Sequence, residues 1–109
     1  MCGGDPAVLD AGCGRGYLSR LLAADGLKVT ATDIAPAAGA GKYFAVAADI
    51  ESLPFAAQSF DTVISTHTLE HVLNAEAALA ELRRVARRRL ILVVPRQRPY
   101  RFTFDLHLN

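Results

Sequence analysis

Val8-Leu9-Asp10-Ala11-Gly12-Cys13-Gly14-Arg15-Gly16, followed seventeen residues later by an acid that ends a second apolar run at Asp33, is the stretch that decides the fold. Val8 and Leu9 read as a short buried strand. Gly12, Gly14 and Gly16 let the backbone turn sharply and approach a ligand, and Tyr17 to Ala24 carries helical spacing. A strand, a glycine loop and a helix in that order form a cradle, because the unpaired amides at the start of the helix face whatever lies in the loop.

Outward from this cradle, apolar runs alternate with helical patterns. Strands are predicted near residues 7–11, 28–33, 44–48, 60–65 and 89–94, and helices near 16–24 and 75–87. That alternation is an α/β pattern with an open, mainly parallel five-stranded sheet of Rossmann-like type. The first helix is expected to stop at Asp25-Gly26, where glycine accepts a left-handed cap. Ala75, Ala78, Leu79, Leu82, Val85 and Ala86 form one apolar face of the second helix, leaving Glu76, Arg83 and Arg87 for solvent. Between the second and third strands only a small-residue stretch, Ala35 to Gly41, replaces the usual helix. Glu51 to Ser59 reads as loop, so both faces of the sheet are expected to be thinly covered.

The spacing of the glycines and acids bears on the ligand. A dinucleotide fingerprint, Gly-x-Gly-x-x-Gly, would place its third glycine at position 17, where this chain has Tyr17. Asp10 adds a carboxylate that a pyrophosphate gains nothing from and a cation would favour. Asp33, at the carboxyl end of the second strand, is placed to accept hydrogen bonds from ribose hydroxyls, each worth ~1.5–3 kcal/mol to a charged group. It also precedes Ile34-Ala35-Pro36 and could serve simply as a turn former. Asp49, after the apolar run Phe44 to Ala48, points at the same crevice or is a surface acid.

Asp10-Ala11-Gly12-Cys13-Gly14-Arg15-Gly16 resembles the first motif of the class I S-adenosylmethionine-dependent methyltransferases. Ala48-Asp49-Ile50-Glu51-Ser52-Leu53-Pro54-Phe55 is similar to the stretch after the third strand in the ubiquinone/menaquinone-biosynthesis-like branch (methyltransferase type 11) of that superfamily. Phe60-Asp61-Thr62-Val63-Ile64-Ser65 with Leu69-Glu70-His71-Val72 looks like its fourth strand and following loop, and Ala78 to Pro95 like the next helix and fifth strand. The resemblance runs from Val8 to about His107.

The resemblance implies S-adenosylmethionine as cofactor and a single domain, residues 1–109, that transfers a methyl group to an unidentified small-molecule acceptor. It implies that Asp10, Ala11, Gly12, Cys13, Gly14 and Gly16 hold the methionine end, and Asp33 and Ile34 the ribose side. Asp49 and Ile50 then hold the adenine, with Ser65, Thr66 and His67 closing the fourth side. His71 is the sole candidate general base, and a structural role is its simpler reading. Three other readings stay open: a cofactor-binding module without turnover, an NAD-binding Rossmann module, and a partial domain completed by a partner.

Two departures accompany the resemblance. Arg87, Arg88 and Arg89 stand where the family commonly has Pro-Gly-Gly; they are expected to complement the carboxyl end of the second helix. The family fold continues past the fifth strand and carries a covering segment before the first, so the chain reads as truncated. Leu90 to Val94 would then be an exposed sheet edge, open to pairing with a second copy. The alternating tail Tyr100 to Leu108 could cover it instead.

Composition bounds the remainder. With 109 residues, 51% apolar content and a net charge of +1, the chain is one globular unit. No apolar run reaches the length of a membrane span and the first residues carry no signal-peptide pattern, so a cytoplasmic address is expected. Cys2 and Cys13 suggest no disulfide framework. Cys13 reads as a small buried side chain rather than a reactive thiol. His67 and His71 have the i, i+4 spacing of a zinc pair, but no third ligand follows and no metal is expected. Eight of the twelve basic residues lie between Arg83 and Arg101, yet without interleaved aromatics this reads as a solvated face and not a nucleic-acid surface.

Overall fold

The computed structural model describes residues 7–13, 16–35, 42–66, 74–95 and 101–107. Strand β1 (Ala7–Ala11) leads through the glycine loop into helix α1 (Tyr17–Ala24), and β2 (Lys28–Asp33) and β3 (Phe44–Ala47) follow. After β4 (Phe60–Thr66) come α2 (Ala75–Val85), β5 (Ala86–Pro95) and β6 (Arg101–His107). The sheet order is β3-β2-β1-β4-β5-β6. The five expected strands are mutually parallel, and β6 runs antiparallel to β5. Chain order reverses between β1 and β4, which puts a crevice at the carboxyl ends of β1, β2 and β4.

Side-chain alternation along the strands builds two cores. Leu9 and Ala11 of β1 join Val63, Leu90 and Leu92 against Ala78, Leu82 and Val85 of α2. On the opposite face Val29, Ala31 and Tyr43 pack with Leu22 and Ala23 of α1. Among the described residues each face carries a single helix, so Tyr17, Leu21 and Phe44 stay largely exposed.

Helix α1 ends as expected, with Gly26 at φ +90°. Helix α2 is capped by the Asn74 side chain, which accepts a hydrogen bond from the Ala77 amide at 3.0 Å. Arg84 and Glu81 tie it to the preceding loop. The Arg84 guanidinium donates to the Phe55 carbonyl at 2.7 Å and the Leu53 carbonyl at 3.0 Å, while Glu81 accepts from the Leu53 amide at 2.8 Å.

Two expectations are corrected. The second helix stops at Val85 and the strand starts at once at Ala86, so Arg87, Arg88 and Arg89 lie on β5; Arg83 and Arg84 occupy the helix's last turn. The pairing partner explains the early start, since Phe60 lies beside Ala86 and Arg89 beside Thr62, and Arg87 is bound by Asp61 at the foot of β4. The second correction concerns the edge. Beside the five parallel strands expected, a sixth, β6, pairs with β5 from Arg89↔His107 to Pro95↔Arg101, so the alternating tail covers the edge that would otherwise be open. With β4 on one side and β6 on the other, β5 is interior, and a second copy has no open β5 to pair with.

Candidate functional site

Ala11 ends β1 between Thr32 of β2 and Ser65 of β4. The chain then turns at Gly12, whose φ of +80° is left-handed and suits glycine. The Gly12 and Cys13 amides both donate to the Thr32 carbonyl, at 2.7 and 3.0 Å, which folds the loop over the end of β2. Gly16, at φ +82°, closes it by donating to the Cys13 carbonyl at 2.9 Å and starts α1. A side-chain carbon on Gly16 would meet the Tyr43 hydroxyl at 2.2 Å, so any larger residue at position 16 requires Tyr43 to shift.

Asp10 is the most constrained polar group of the site. It is 1% exposed, and its Oδ2 accepts a 2.7 Å hydrogen bond from the hydroxyl of Ser19, itself fully buried on α1. Its Oδ1 is buried without a hydrogen-bond partner among the described residues. Burial pushes the Asp10 carboxyl above its ordinary value; the Ser19 hydrogen bond opposes this and the negative charge of Asp33 adds to it. A buried carboxylate oxygen with no partner is costly, and a cation at the loop would satisfy it.

Of the other predicted residues, those that the structure describes lie at or just beyond the carboxyl ends of β2, β3 and β4. Asp33 ends β2, its Oδ1 accepting from the Ile34 amide at 2.7 Å and its carbonyl from the Ala48 amide at 2.9 Å. Ile34 is exposed. Asp49 sits in a tight turn, with Oδ1 accepting from the Glu51 amide at 2.9 Å and the backbone bridged to Ser52. Ile50 beside it is buried in the larger core. Ser65 and Thr66 end β4, and the Ser65 hydroxyl is buried without a partner among the described residues. Cys13 packs beside the smaller core. Gly14, His67 and His71 lie outside the described residues, as does most of the Ala35 to Gly41 stretch.

Ser19 and Thr32 escaped the reading of the sequence. Ser19 shares the inward stripe of α1 with Leu22 and Ala23, at i+3 and i+4, and a hydroxyl on such a stripe needs a buried partner. That was its signal. Thr32 lies level with Ala11, and its Oγ1 is also buried without a partner among the described residues. Among the described residues no cluster of three or more His, Cys, Asp or Glu could hold a metal ion. No helix there is long and apolar enough to cross a membrane.

Known proteins similar to this chain in sequence and in fold are methyltransferases. The chain is 37% identical over 86 residues to a malonyl-[acyl-carrier protein] O-methyltransferase of Serratia marcescens, a match covering 73% of this chain and 34% of that protein. It is 40% identical over 77 residues to a ubiquinone biosynthesis O-methyltransferase of Methylocella silvestris, covering 62% of this chain and 30% of the other. Among solved structures, magnesium protoporphyrin IX methyltransferase from Synechocystis PCC 6803, with bound SAH, superposes with a TM-score of 0.70 at 31% identity, over 82% of this chain and 46% of that one. The chain thus spans about a third of the length of these curated relatives. Residues 9–94 match the family described as the methyltransferase domain, from the strand that carries Asp10 to the end of the apolar run of β5, and the chain belongs to that family.

Proposed function

We propose that this domain binds S-adenosylmethionine across the carboxyl ends of β1, β2 and β4 and that it serves methyl transfer to a small-molecule acceptor. The observation that carries the reading is the buried Asp10 carboxylate, which has one oxygen held by Ser19 and the other unsatisfied among the described residues at the base of the glycine loop. The cofactor supplies a methyl group on a positively charged sulfur, already activated for displacement. The protein's task is therefore to hold and orient, which is worth up to ~7–11 kcal/mol of barrier in favourable cases.

In this reading the loop from Asp10 to Gly16, with Ala11, Gly12, Cys13 and Gly14, takes the amino-acid end, and the Asp10 charge complements its ammonium. Asp33 and Ile34 flank the ribose. Asp49 accepts from the adenine amino group while Ile50 supplies an apolar wall, and Ser65, Thr66 and His67 close the remaining side. His71 is the candidate base for an acceptor that must lose a proton. The O-methyltransferase relatives point to an oxygen acceptor.

Calorimetric titration of the purified chain with S-adenosylhomocysteine, with NAD as the control ligand, tests this. Micromolar affinity for the first and none for the second is expected. Binding of NAD alone, or of neither by the folded protein, would overturn the proposal.

A further inference from the structure

We propose that Ser19 is a positioning residue of the cofactor site: its hydroxyl fixes one oxygen of Asp10 and so keeps the other directed at the cationic end of the bound cofactor. The inference rests on the cofactor reading above and goes beyond it, because Ser19 lies on α1 outside the glycine loop and is not among the residues that reading assigns to the cofactor.

Three observations carry it. The Ser19 hydroxyl lies 2.7 Å from Asp10 Oδ2, and both side chains are sealed from solvent, at 0% and 1% exposure. An unpaired buried carboxylate would rotate toward any available donor, and the bond from Ser19 is what fixes its orientation. The remaining oxygen, Oδ1, has no partner among the described residues. A simple core hydroxyl would be expected to bond the backbone of its own helix; this one bonds the acid nine residues earlier in the chain, on the neighbouring strand.

The surroundings make the effect readable as a pH dependence. From β2 the Asp33 carboxylate repels the Asp10 charge, and burial disfavours it further. The β1 neighbours at the same level, Ala31 of β2 and Ile64 of β4, are uncharged. On α1 the one charged side chain, Arg20, is exposed and lies over the Tyr17 ring. Among the described residues Ser19 is thus the group from α1 that favours the ionised form, which an ammonium ligand requires.

Titration of the full chain with S-adenosylhomocysteine from about pH 5 to pH 9 tests the proposal. Ser19→Ala should weaken binding at neutral pH about tenfold, the loss expected for a hydrogen bond to a charged group. It should also move the acidic limb of the binding profile to higher pH. Ser19→Thr and Ser19→Val form a matched pair: both are β-branched and nearly equal in shape, and valine carries a methyl group where threonine carries the hydroxyl. Threonine should restore the limb and valine should not, and this comparison stands even where alanine fails to fold. An unmoved limb and unchanged affinity in both Ser19→Ala and Ser19→Val would overturn the inference while leaving the cofactor reading intact. Absence of binding by the parent chain at every pH would overturn both.

Discussion

Asp10 carries opposing consequences for stability and for binding. Its carboxyl titrates above the ordinary value of 3.8 because it is buried, so between the ordinary and raised values the folded chain holds more protons than the unfolded one. Stability then falls as pH rises through that window, and the ionised group remains a cost at neutral pH. Asp10→Asn should therefore melt above the parent in the absence of ligand at neutral pH, with the difference shrinking on acidification, while its affinity for S-adenosylhomocysteine is lost. Melting curves and titration of the same sample check both signs. Gly16 and Gly26 separate two costs that share one backbone conformation. An added carbon at Gly26 meets nothing within 4 Å, so Gly26→Ala should cost ~1–2 kcal/mol for the left-handed φ alone. At Gly16 the Tyr43 hydroxyl stands 2.2 Å from that carbon, and Gly16→Ala should cost a further ~1–3 kcal/mol. Urea denaturation of the two variants measures the gap. At this scale the glycines of the loop were legible because the left-handed backbone at Gly12 and Gly16 demands that residue type. Ser19 was not, since a serine inside a helix is ordinary until its buried neighbour is known.

Helix α2 shows why elements were easier to place than their ends. Its apolar stripe, Ala78, Leu82 and Val85, fixed its existence and its packing face, but Ala75 at its start is exposed and Ala86 belongs to β5. No helix-stopping glycine separates α2 from β5. The boundary is set by pairing of β5 with β4 and by the Asp61 carboxylate that binds Arg87, and both are tertiary facts that no local pattern displays. The helix start is local, and Asn74→Ala should cost ~1 kcal/mol of stability by denaturant titration. The clamp on the loop is charged. Hydrogen bonding from Arg84 holds Glu81 below the ordinary glutamate value of 4.5, and Arg87 with the Ala7 amide does the same for Asp61 below 3.8. For a depressed carboxylate the stabilisation is complete above its unfolded value and is lost as pH falls through the folded one. Denaturant midpoints should therefore drop on acidification below about pH 4, and Glu81→Gln should reduce that drop while lowering stability at neutral pH.

The molecule as a whole is a mainly parallel α/β sheet in which the strand-order reversal brings residues far apart in the chain to the carboxyl ends of neighbouring strands. The alternation of apolar runs and helical patterns made the five parallel strands and two helices legible. Pairing of β5 with the tail was not, because alternating residues in an edge strand serve equally for a neighbour in the same chain or in another. The register from Arg89↔His107 to Pro95↔Arg101 resolves this in favour of the same chain. A variant lacking residues 101–109 should expose the β5 edge and associate with rising concentration in sedimentation velocity, whereas the parent should show no association through β5. The central claim, a cofactor crevice at the carboxyl ends of β1, β2 and β4, is tested most directly by the amide nuclear magnetic resonance spectrum of the labelled chain during addition of S-adenosylhomocysteine. Shifts concentrated at Ala11 to Cys13, Ile34, Asp49 to Ile50 and Ser65 to Thr66 are predicted. Shifts confined to the outer face of α1 or to β6, or an unchanged spectrum at saturating ligand, would contradict the account.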